Sequence, residues 1–305
     1  LSINLSNGAN LTSNISNASG NAEINFNTPS GGVIGGMIST TTALDSSDKG
    51  SKINIANGAN GTIRGNIITG ENADTTITFN TDTTNQPSGN QASTLTLQGK
   101  TNQINTITVN GDSKTLTLDG KNSNSGVNVD VKTAIAGGGL TAKFDGEANK
   151  ATNLTLNAGG NVLKALTLGT TSISNTLTLN NGTTTITDKV SIGSGQALDF
   201  TLNNDSNLTL TNNLENSGNS KIDFASNSTL TSTIDTKTNG TTNINIAGNS
   251  AGTITGNITT DTNGKTKVKY APNSNGSENS LKLMGNSNTL TPISFDQSAR
   301  SGKLT

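Results

Sequence analysis

The chain has 305 residues, of which 29% are hydrophobic and 2% aromatic, with no Trp, no Cys and no His. A formal charge of −1 carries no excess of Lys and Arg, which argues against nucleic acid and anionic membrane as partners. Without His, the usual Ser-His-Asp and Cys-His catalysis and His-based transition-metal sites are excluded, and no cofactor is expected.

Low hydrophobicity alone would suggest disorder, but only 13% of residues are charged and only 4 are Pro. The bulk has passed instead to 52 Thr, 48 Asn and 35 Gly. Thr fits a pleated, half-exposed strand, while Asn and Gly tolerate the left-handed backbone of tight turns. No apolar run approaches the roughly 20 residues that span a bilayer. The start, Leu1-Ser2-Ile3, has neither an initiator Met nor a signal peptide, so a mature segment or fragment of a longer protein is expected.

In chain order, the first unit is Ile3-Asn4-Leu5-Ser6-Asn7-Gly8-Ala9-Asn10, which returns as Ile53-Asn54-Ile55-Ala56-Asn57-Gly58-Ala59-Asn60. Ile24-Asn25-Phe26-Asn27 is mirrored by Ile77-Thr78-Phe79-Asn80. Between them, Gly31-Gly32-Val33-Ile34-Gly35-Gly36-Met37-Ile38 contains two overlapping G-x-x-x-G spacings. Eight residues cannot cross a membrane, so this run is expected to be a tightly packed strand with glycine corners.

Apolar pairs two residues apart then recur: Leu95/Leu97, Ile107/Val109, Leu116/Leu118, Val127/Val129, Leu154/Leu156, Leu177/Leu179 and Leu208/Leu210. Period-two alternation predicts strands with one buried face, and the spacing of roughly 9–12 residues fits a β-sandwich or a β-solenoid. Val131 to Lys150 is the least regular stretch and is expected to contain a loop or protrusion.

A module duplication favours the solenoid. Ile53-Asn54-Ile55, Gly61-Thr62-Ile63, Gly65-Asn66-Ile67, Ile77/Phe79, Leu95/Leu97 and Ile107/Val109 recur as Ile244-Asn245-Ile246, Gly252-Thr253-Ile254, Gly256-Asn257-Ile258, Val268/Tyr270, Leu281/Leu283 and Ile293/Phe295. The register slips by about five residues around Pro87 and Pro272, as expected of exposed loops. One uninterrupted pattern with modules at 3–27, 53–109 and 244–295 predicts a single continuous solenoid over 1–305. Coils of roughly 20–30 residues would number on the order of 10–15.

Among candidate chemical groups, Asp45/Asp48 and Asp82 stand alone, while Asp112, Asp119 and Asp130 could be stacked together to serve glycan cleavage. Turn carboxylates are the alternative. Gly99-Lys100-Thr101 and Gly264-Lys265-Thr266 end like phosphate-binding loops, but Thr94 and Thr259 stand where such loops require Gly. In Lys265-Thr266-Lys267-Val268-Lys269-Tyr270, alternation predicts Lys265, Lys267 and Lys269 outward, either as a surface for sulfated or sialylated glycans or as a charged face that blocks stray strand pairing. Thr94-Leu95-Thr96, Thr115-Leu116-Thr117 and Thr176-Leu177-Thr178 are units from which ice-binding faces are built, if stacked without breaks.

The Leu-Thr-Leu and Ile-Asn-Ile units, the Asn-Gly corners, the lack of Cys and the duplicated module together resemble the passenger regions of bacterial autotransporters, the type V secretion family. Filamentous haemagglutinin-type exoproteins share the texture. The resemblance implies a right-handed parallel β-helix with short loops, on the cell surface or secreted, exported through a translocator β-barrel encoded elsewhere in the full protein. It also implies a non-catalytic role in adhesion, aggregation or host-cell interaction, with a host-cell receptor, a glycan or a sister cell as partner. The alternatives are a glycan-active β-helix enzyme and an ice-binding solenoid.

Overall fold

The computed structural model describes residues 1–18, 20–41, 50–80, 91–272, 278–291, 293–295 and 302–305. They form an all-β parallel solenoid of about 11 turns, with no helix among the described residues. Asp45, Asp48, Asp82 and the Pro87 segment lie outside the described residues. At about 4.8 Å per coil, the stack is a rod about 50 Å long.

Each coil visits three faces. The first face opens as a 5-stranded sheet from Ser2–Leu5 to Thr106–Val109. It passes through the bridge Thr108–Ala136 into a 7-stranded sheet that starts at Asn161–Leu163 and ends at Gly302–Leu304. The second face runs from Asn10–Leu11 through Ala165–Leu168 and continues as Val190–Ile192 to Ile258–Thr260. The third face is one 12-stranded sheet, Ile15–Asn17 to Ile293–Phe295. All of its ladders are parallel and in register, so a residue stacks on its equivalent one coil away, 22 to 35 positions along the chain.

Alternation then makes every strand amphipathic. On the third face, Val129, Leu154, Leu177, Phe200, Ile222, Ile244 and Val268 form one inward column. The narrow interior holds little bulk, and among the described side chains six rings, Phe26, Phe79, Phe144, Phe200, Phe224 and Tyr270, are all buried. Two of these rings require a glycine in the next coil. A Cβ on Gly61 would lie 2.7 Å from Phe26 Cγ, and one on Gly252 would lie 2.7 Å from Phe224 Cγ. Gly61 and Gly252 are equivalent positions of the duplicated module, so the copies share a packing device as well as letters.

The copies do not, however, sit on the same faces. Gly50–Ile55, Asn60–Ile63 and Ile67–Thr69 take the first, second and third faces, whereas Thr241–Ile246, Ala251–Thr255 and Ile258–Thr260 take the third, first and second. The module has rotated by one face. Strand length moves with it: six-residue strands mark the first face at Gly50–Ile55 and Asp74–Phe79, and the third face at Ala197–Leu202, Asn219–Phe224 and Thr241–Ile246. The irregular stretch Val131 to Lys150 is where the change begins. Here the first face is reduced to the single bridge at Ala136, while Leu140–Phe144 restores the second.

Corners repeat as faithfully as strands. A Cβ on Gly36, Gly65 or Gly99 would lie 2.1–2.2 Å from the carbonyl oxygen of Ser13, Gly36 or Gly65 respectively, so this column admits no side chain. The run Gly31 to Ile38 is therefore two glycine corners around the two-residue strand Val33–Ile34.

Candidate functional site

A polar concavity is built at one corner of three successive coils, between the second and third faces. Two of the corners are short: Arg64–Asn66 joins Ile63 to Ile67, and Gln98–Lys100 joins Leu97 to Thr101. The third corner, from Asp119 to Gly126, is longer and stands out as a wall. Together they enclose about 810 Å³, lined by Arg64, Asn66, Gln98, Lys100 and Asn122 to Ser125. That volume is within the range of small-ligand clefts.

Asp119 holds the wall. Its carboxylate accepts from the Asn122 backbone N–H at 3.0 Å, from Asn122 Nδ2 at 2.9 Å and from Gln98 Nε2 at 2.8 Å. Ser123 Oγ donates to the Gly126 carbonyl at 2.9 Å, and Lys150 Nζ donates to the Lys121 carbonyl at 3.0 Å. Arg64 and Lys100 are exposed at the cleft, and no carboxylate lies within ion-pair distance of either among the described residues. Two cations beside the Asn124 amide and the Ser125 hydroxyl can take a negatively charged, hydroxyl-rich ligand through charge-assisted hydrogen bonds.

The carboxylates expected to converge do not. Asp112 lies in the corner before Lys114–Leu118, Asp119 ends that strand, and Asp130 points outward from Val127–Val131, where Asn157 Nδ2 donates to it. They follow one another around a single coil instead of stacking across coils. No cluster of three metal-ligating side chains occurs among the described residues. Both Gly-Lys-Thr sequences run from a corner into a strand: Gly99 belongs to the glycine column, Lys100 lines the cleft, Lys265 and Thr266 open the strand Lys265–Tyr270, and the Thr266 hydroxyl is buried 2.8 Å from that of Thr236.

Lys265, Lys267 and Lys269 project from the third face, while Val268 and Tyr270 are fully buried. Tyr270 Oη donates to the Lys303 carbonyl at 3.0 Å, and burial pushes its phenol up. Two of the lysines belong to columns of mixed sign, because Asp199, Lys221, Asn243 and Lys267 stack in order, as do Asp223, Asn245 and Lys269. Lys221 Nζ lies 2.8 Å from Asp223 Oδ2 and 3.9 Å from Asp199 Oδ2. The bond to Asp223 holds the Lys221 ammonium above its ordinary value, while burial raises Asp199 despite the nearby lysine. The Asn243 and Asn245 rank thus separates Lys267 and Lys269 from the charge-paired cluster of Asp199, Lys221 and Asp223.

The cleft escaped sequence reading because its residues come from three corners 21 to 35 positions apart. One local signal did exist: Asp119 to Gly126, Asp-Gly-Lys-Asn-Ser-Asn-Ser-Gly, is an unusually long polar interval between strands.

Among proteins, this architecture defines a class, the parallel β-solenoids, and no particular activity. Comparison with protein-family models, curated proteins and solved structures finds no match to the chain. No helix among the described residues is long and apolar enough to cross a membrane.

Proposed function

We propose that this chain is a non-catalytic, surface-exposed or secreted passenger-type solenoid, and that the cleft at Arg64 and Lys100 is its contact for an acidic glycan on a host or sister cell. The observation that carries this reading is the pair of cations without carboxylate partners, set among amide and hydroxyl side chains in a walled concavity. A rigid rod supports it further, because residues on stacked corners keep their spacing without ligand.

The test is binding of sulfated and sialylated oligosaccharides, with their neutral counterparts, to the wild-type chain and to R64A/K100A. Each charge-assisted contact contributes about 1.5–3 kcal/mol, so the double variant should bind at least 10-fold more weakly. Binding should also weaken as salt rises. Failure of every acidic glycan to bind, or equal binding by R64A/K100A, would overturn the assignment. Release of reducing sugar from any of these glycans would favour the enzyme alternative instead.

A further inference from the structure

The first face changes character in its later coils. Over Thr183–Ile186, Asn207–Leu210, Ser228–Thr231 and Ala251–Thr255, the outward positions form two in-register columns. One is Thr185, Thr209, Thr231 and Thr255; the other is Thr183, Asn207, Thr229 and Thr253. Seven of the eight positions are Thr, and none is charged. Val162 precedes the first column at 37% exposure, Met284 follows it at 53%, 3.8 Å from Thr255 Oγ1, and Lys282 ends the second column beyond Thr253, so the array is four ranks deep.

Charge separates this array from the other faces of the same coils. Charges occupy the neighbouring surfaces of the same coils, with Asp199, Lys221 and Asp223 on the third face and Glu215 and Asp235 on the second. Outward Asn side chains bond to one another, as in Asn25 to Asn4 at 3.0 Å and Asn54 to Asn25 at 2.8 Å, whereas outward strand Thr such as Thr155 and Thr178 leave their hydroxyls without a bond to other described residues. In the array, the Thr183, Thr185, Thr209, Thr229, Thr231 and Thr253 side chains make no hydrogen bond to other described residues. Their hydroxyls stand ready for an external partner, each beside an exposed methyl group.

We infer that this Thr array is an ice-binding face. Its units repeat about 4.8 Å along the rod and about 6.6 Å along each strand, fixed by the sheet itself. A flat, uncharged lattice of hydroxyls and methyls can hold a matching layer of ordered water, and its rigidity spares the entropy of ordering side chains. The Thr-x-Thr units at Thr94 and Thr115 also stack, but the next rank there is Thr141 and Lys143, which ends the run.

The experiment compares growing ice crystals in the wild-type chain, T209K/T231K, T209V/T231V and a control, T178K on the third face, each checked for folded circular dichroism. The wild type and T178K should adsorb to ice and facet the crystals. T209K/T231K should lose thermal hysteresis at least 10-fold, and T209V/T231V, which keeps the methyls, should separate hydroxyl from apolar contributions. Unshaped ice with the wild type, or full activity in T209K/T231K, overturns the inference. So would a wild-type dimer dispersed by T209K/T231K without ice shaping, which would assign the face to self-association. None of these results depends on the glycan cleft.

Discussion

The Lys114 ammonium donates to the Asn57 amide oxygen at 2.8 Å, across coils and inside the corner between the first and second faces. It also reaches the Gln91 carbonyl at 2.8 Å and Ser93 Oγ at 3.3 Å, is fully buried, and has no carboxylate in ion-pair range among the described residues. One cation thereby ties three coils together. Lys114→Met removes all three bonds, although Asn57 Oδ1 keeps the Gln91 N–H and Ser93 Oγ keeps the Gly58 N–H, and should cost about 1–3 kcal/mol.

Burial pushes the Lys114 ammonium below its ordinary value, so the folded state holds that proton more weakly than the unfolded chain does. Between the depressed folded pKa and the unfolded value of about 10.4, the unfolded state binds more protons, and stability rises with pH. Below the folded pKa both states are protonated and the penalty is constant. Denaturant unfolding of the wild type and K114M from pH 7 to 11 should show this alkaline gain in the wild type only. A difference between the two that does not change with pH would contradict it.

Gly252→Ala should destabilise the chain by about 1–3 kcal/mol, because the new methyl would enter the ring of Phe224. Gly61→Ala should do the same against Phe26. The combination G252A/F224L should recover part of the loss, whereas G252A with F26L should not. Thermal unfolding measures both.

Amide ladders run outside the strands as well. Asn180 Nδ2 donates to Asn157 Oδ1 at 2.7 Å, and Asn203 Nδ2 donates to Asn180 Oδ1 at 3.0 Å. Removing the middle rung breaks both bonds, so Asn180→Ala should cost about 1–2 kcal/mol. Asn213→Ala, whose side chain makes no hydrogen bond to other described residues, should cost less than about 0.5 kcal/mol. Equal losses would mean that the ladder contributes nothing.

Period-two pairs such as Leu154/Leu156 and Leu177/Leu179 made the strands legible, since alternation is local and one face must be buried. The duplicated module made the stacking legible for the same reason. Its rotation by one face was not, because which face a strand occupies depends on every corner before it, including the bridge at Ala136. The cleft and the Thr array depend likewise on which coils lie next to one another. Lys114 shares the parity of Leu116 and Leu118, so alternation places it on the inward side, and the corner packing of Asn57 and Gln91, which comes from other coils, supplies the acceptors that hold a cation there.

The central claim is the in-register parallel stack, on which the cleft and the array both depend. The chain lacks Cys, so T178C/T201C can carry a pyrene at each introduced thiol alone, on positions paired across adjacent coils of the third face. Labels about 4.8 Å apart should give strong excimer emission within one molecule, while T178C/T255C, on different faces, should give monomer emission. Monomer emission from T178C/T201C, or excimer from both pairs alike, would contradict the solenoid described above.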